Sequence, residues 1–291
     1  MLLKALLRLR PVRFLYDMVA VYFDKHVSRS AAELAYFLTL TVFPILICTN
    51  ALCSRFHVDL ARMLDAVDRL LPAGVSGVLR DYLGYLSGNE SAAMLTAGLV
   101  TAVLLASAAV RSLMNIMEEI YGSASFRGPW RMPASLVIAV LLLVTIYLSI
   151  VVLITGNWFF TLIESFFHLE HLLERFAVWQ WMKYLLLFGV VFLLILLLYR
   201  ASLPLDKPRP PVVTGALLAS VALAGASALF SCFIGLSARY SLVYGSLASV
   251  MILLVWLYLC GNILILGNVF NYVLHKQKAE KRGGADKNSR A

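Results

Sequence analysis

Apolar positions in this chain gather into six runs of about twenty residues, at 34–53, 92–110, 134–156, 182–199, 212–236 and 247–271. A helix rising 1.5 Å per residue needs about twenty apolar residues to cross the ~30 Å hydrocarbon core of a bilayer. The pattern predicts an all-α, polytopic membrane protein with six transmembrane helices. Before the first run, Leu15, Val19, Tyr22 and Phe23 recur at helical spacing. This predicts an amphipathic helix over 12–26 on the membrane surface. Two segments between runs are too long for turns. Residues 58–86 repeat an apolar face (Leu60, Met63, Leu64, Val67, then Val75, Val78, Leu79, Tyr82) around Pro72-Ala73-Gly74, which reads as a helical hairpin. Residues 158–178 align Phe159, Leu162, Ile163 and Phe166 between Trp158 and Trp179, the pattern of an interfacial helix.

Charge sets the orientation. Segments that should share a side with the N-terminus hold eighteen Lys and Arg, against six on the opposite side. By the positive-inside rule both termini are cytoplasmic, with 58–86 and 158–178 external. The same asymmetry accounts for the net charge of +9 through the anionic inner leaflet, so nucleic acid is not an expected partner. Membrane lipids are. The early cations and Pro11 interrupt the apolar core that a signal peptide requires. Residues 1–273 read as one membrane domain, and the polar tail 274–291 as disordered.

Composition narrows the chemistry. Hydrophobic residues make up 61% of the chain and charged residues 14%. Cys48, Cys53, Cys232 and Cys260 lie in or beside apolar runs without metal-ligand spacing, so they read as small hydrophobes. Glu164, His168 and His171 share a helical face, which suits either a solvated surface or a metal site. The solvated surface is the expectation, and no cofactor or metal is implied. Small-residue pairs Gly215/Ala219 and Ala222/Ala226 allow close helix approach, within the bundle or in a homo-oligomer.

Polar side chains at membrane depth are costly and need a partner or a task. Glu33, Tyr36, Leu40 and Pro44 fall on one helical face, and Pro44 frees the Leu40 carbonyl. That face is expected to wall a polar cavity. Ser107, Arg111, Asn115 and Glu118 form a second stripe. Arg111 is placed to pair with Glu33 or to snorkel toward phosphates. Asn268 and Asn271 share a face of the last run, as interhelical glue or as substrate contacts.

These residues carry a resemblance. Ala31-Ala32-Glu33-Leu34-Ala35-Tyr36 with Thr39, Thr41, Phe43 and Pro44 resembles the first-span pattern of the YihY/BrkB family, once labelled ribonuclease BN. Tyr199-Arg200, Leu203-Pro204, Gly215-Ala216, Val243-Tyr244-Gly245-Ser246 and Trp256-Leu257-Tyr258-Leu259 continue it. Glu118 stands where the family usually has Asn, and Leu266-Gly267-Asn268-Val269 lacks the family's closing acid. The resemblance adds Tyr244 and Gly245 to the candidate positions, and implies six-helix, transport-like membrane proteins, some associated with serum resistance and one with export of a lipid A precursor. The ribonuclease label fits the residues poorly, because metal-assisted hydrolysis needs clustered His and Asp ligands and the five histidines are scattered. With no P-loop and no nucleophile triad, the chain reads as a non-enzymatic transporter or translocase for a lipid-like or anionic substrate. The alternative is a scaffold for assembling an envelope complex.

Overall fold

The computed structural model describes residues 10–55, 92–122, 130–147, 176–202, 212–236 and 246–289. Seven helices occupy these residues: α1 Arg10–Asp24, α2 Val27–Arg55, α3 Ala92–Tyr121, α4 Arg131–Tyr147, α5 Phe176–Ser202, α6 Val213–Leu236 and α7 Ser246–Ser289. No strand occurs among the described residues. Lipid offers no partner for backbone N–H and C=O groups, so a spanning segment must bond within itself, as a helix does.

Five helices (α2, α3, α5, α6 and α7) are long and apolar enough to cross a membrane, which makes this a multi-pass membrane protein. The third of the six expected spans is represented by α4, a shorter apolar helix of about 25 Å at 1.5 Å per residue. Its expected remainder, 148–156, lies outside the described residues, as do the hairpin 58–86 and most of 158–178.

Small side chains set the packing. Ala31 and Ala35 of α2 and Ala102, Ala106 and Ala109 of α3 are all buried, and α2 and α3 pack extensively against each other. A Cβ on Gly98 would come within 3.0 Å of Ile47, and one on Gly261 within 3.1 Å of the Ala31 carbonyl. Close backbone approach of this kind replaces the hydrophobic drive that lipid does not supply.

α1 differs from its sequence reading in having two apolar faces. Phe14, Met18, Val21 and Tyr22 pack on the bundle, while Leu15, Val19 and Phe23 are exposed. Phe14 meets Phe270 of α7 edge-to-face at 5.1 Å. The tail expected to be disordered is helical to Ser289. Its segment Lys276-Gln277-Lys278-Ala279-Glu280 contains strong helix formers, and α1 supplies contacts. Gln277 donates to Asp17 at 2.8 Å, and Arg13 meets Glu280 at 3.0 Å.

One end of the bundle collects the ends of α1, α3 and α7 and the starts of α4 and α6, through Asp17–Gln277, Glu118–Arg131, Tyr121–Asn268 and Gly215–Asn271. The candidate site lies at this end.

Candidate functional site

The stripe on α3 finds its partners on the first turns of α4. Ser107 and Ser135 are fully buried, with hydroxyls 2.9 Å apart. Ser135 spends its hydrogen on the Met132 carbonyl at 2.8 Å, so Ser107 donates to Ser135. Arg111 Nη1 donates to Ser107 at 2.8 Å and reaches Ser135 at 3.4 Å. One turn further, Arg131 donates to Asn115, and its Nη1 lies 3.3 Å from Glu118 Oε2. The result is a polar seam between antiparallel helices, with hydroxyls at its deep end and charges at its mouth.

Two features make the seam chemically open. Arg111 has two hydroxyls and no carboxylate as partners among the described residues, so Arg111, Arg131 and Glu118 together carry one net positive charge. Glu118 Oε1 is buried and bonds to nothing among the described residues. A guanidinium without a counter-ion beside apolar spans is a ready partner for an oxyanion, which it can grip with two parallel N–H groups.

Among the described residues the expected cavity wall on α2 is not seen. Glu33 is exposed and has no ion pair with Arg111, and Tyr36 is 55% exposed. Pro44 is buried inside a continuous α2. Thr39, Thr41 and Thr49 bond the carbonyls of Ala35, Phe37 and Ile45, none reaching Leu40. The reason is packing: α2 meets α3 and α7 through Val27, Ala31, Leu34 and Ala35, and turning this small face inward turns Glu33, Tyr36 and Leu40 outward.

Asn268 and Asn271 are fully buried and bond other helices. Tyr121 donates to Asn268 Oδ1 at 2.9 Å, and Asn268 Nδ2 faces the Met117 sulfur. Asn271 Oδ1 accepts from the Gly215 N–H at 2.8 Å and the Thr214 hydroxyl at 3.2 Å, and its Nδ2 donates to the Val212 carbonyl at 3.3 Å. These amides bind α3 and α6 to α7. Tyr244, Gly245, Glu164, His168 and His171 lie outside the described residues, which contain no group of three potential metal ligands.

Sequence reasoning missed Arg131 and Ser135. Their signal was a cation and a hydroxyl four residues apart at the start of the run that follows the stripe. A separate cleft of about 460 Å³ lies between α1 and α7, lined by Asp17, Asp24, Lys25, Ile120, Tyr272 and Lys276.

Residues 18–291 match the virulence factor BrkB family, and the chain belongs to it. A Bacillus subtilis (strain 168) protein named ribonuclease-like protein YfkH is 25% identical over 270 residues, covering 91% of this chain and 96% of its own length. No solved structure matches the chain.

Proposed function

We propose that this BrkB-family membrane protein is a transporter or translocase that receives an anionic, lipid-like substrate at the α3–α4 seam, without hydrolysing nucleotide. In this reading it resides in the bacterial inner membrane with both termini cytoplasmic, as eighteen basic residues on one side against six favour. The observation that carries the proposal is that, among the described residues, Arg111 has no carboxylate partner and lies beside an Arg131 paired through one oxygen of Glu118. A charge at membrane depth costs on the order of 3 kcal/mol on insertion scales, so an anion arriving at Arg111 gains what the resting protein lacks. Glu118 holds Arg131 in place between substrates and repels the anion afterwards, which aids release.

Purified full-length protein in liposomes tests this. Labelled anionic phospholipid should change leaflets faster than a zwitterionic analogue, and Arg111→Gln should reduce that rate while the protein stays folded. Folded native protein that moves neither lipid removes the proposal and leaves the scaffold. That second reading draws on Asn268 and Asn271, which spend their bonding capacity on neighbouring helices.

A further inference from the structure

Beside the seam, a shallow groove of about 80 Å³ runs between α4 and α5. Ile138, Leu141 and Leu142 line one side, and Leu194, Leu197 and Ala201 the other. Thr145, the one polar side chain of the lining, donates its hydroxyl to the Leu141 carbonyl of its own helix at 2.7 Å. The neighbouring Val137, Val140 and Val144 are exposed, so α4 presents this surface outward to lipid. The groove is small and lined almost wholly by apolar side chains, which suits a stretch of hydrocarbon chain and not a whole polar molecule.

The groove and the seam are linked by helical phase. At 100° per residue the groove positions of α4 centre about 70° to one side of Ser135, and Arg131 lies about 30° from that centre. The rise along α4 places Arg131 about 10 Å from Ile138, toward the helix start. An amphiphile lying along α4 therefore sets its chain against Ile138, Leu141, Leu142 and Leu197 and its head beside Arg131. Charge selects the head, because Arg111 and Arg131 exceed Glu118 by one positive charge.

We propose that the α4–α5 groove is an acyl-chain site for one anionic phospholipid of the bilayer, with its phosphate at the Arg131 guanidinium. This inference rests on the proposed function only in sharing Arg131, and it requires no transport.

The test uses the full chain in phosphatidylcholine vesicles containing a small fraction of phosphatidylglycerol with a photoactivatable diazirine on one acyl chain. Crosslinks mapped by mass spectrometry should concentrate in 138–145 and 194–201, exceeding those in the lipid-exposed stretches 99–104 and 217–221 by about five-fold. The excess should disappear when phosphatidylcholine carries the same diazirine chain, and in Arg131→Gln, while Arg131→Lys keeps most of it. Ala201→Phe, which fills the groove from α5, should abolish it with Arg131 intact. Even labelling around the bundle, or equal labelling by the two lipids, overturns the site. The two-lipid comparison on the native chain decides the matter even where a variant fails to fold. Groove labelling without lipid flux keeps this site and removes the transport reading, whereas flux without groove labelling does the reverse.

Discussion

Asn271 on α7 caps the first turn of α6 from another helix. Its Oδ1 accepts the Gly215 N–H at 2.8 Å, the bond that a capping Ser or Asp makes from within its own chain segment. The residue just before α6 is Val212, which has no side-chain acceptor. Among the described residues α7 thus supplies the acceptor for this N–H, which ties the last span to its neighbour.

Asn271→Ala should therefore destabilise the protein by about 1–3 kcal/mol, since it strands the buried Gly215 N–H, while the Val212 carbonyl keeps its bond from the Ala216 N–H at 3.0 Å. The thermal midpoint in detergent should fall, while membrane insertion stays normal. An unchanged midpoint would mean that water replaces the amide.

Glycine substitutions at the same contact should cost at least as much. A Cβ on Gly215 would collide with the Gly267 carbonyl and the Asn271 amide, and one on Gly267 would lie 2.8 Å from the Ala219 Cβ. Gly215→Ala and Gly267→Ala should each cost on the order of 1–3 kcal/mol through forced separation of α6 and α7. Gly225→Ala is the control, because nothing lies within 4 Å of its Cβ position.

The seam predicts a coupled pair. Arg131→Gln and Glu118→Gln should each lower stability or flux, and the double variant should lose less than the combined single effects, with a coupling on the order of 0.5–3 kcal/mol. Strictly additive losses would show that the 3.3 Å contact contributes nothing. Glu33→Gln should show no coupling to Arg111→Gln, as Glu33 is exposed and makes no contact with it.

Two helix ends give opposite expectations. His26, between α1 and α2, has φ of 48°, and Gly122, after α3, has φ of 65°. An L side chain in this left-handed region costs roughly 1–2 kcal/mol. His26→Gly should raise stability by up to about 1 kcal/mol, and Gly122→Ala should lower it by about the same amount. Denaturation midpoints of the two variants moving in the same direction would contradict this.

The sequence by itself determined the class of protein and the internal faces of its helices. Runs such as 92–110 and 247–271 can only be helices in lipid, because no other local structure bonds its own backbone there. The alignment of Ser107, Arg111, Asn115 and Glu118 along one side of α3 follows from helical periodicity alone. Periodicity even placed Asn268 and Asn271 on a common face, and the structure shows both bonding neighbouring helices. It could not say that the chain beyond 273 continues as helix, because composition alone does not reveal that Asp17 and Arg13 wait for Gln277 and Glu280.

Only the tertiary structure decided which faces meet. In water, burial would turn the apolar side of α2 inward and identify the core, but in lipid every apolar face is already content. The choice falls to shape. Ala31 and Ala35 let α2 come close to its neighbours, so Glu33 and Tyr36 turn outward and the pairing of Glu33 with Arg111 is lost. Arg111 instead meets Ser107 and Ser135, and Arg131, from the next helix, takes Glu118. Helical phase fixes directions about one axis, whereas the relative rotation of two axes depends on side-chain volumes that come together only in the folded bundle.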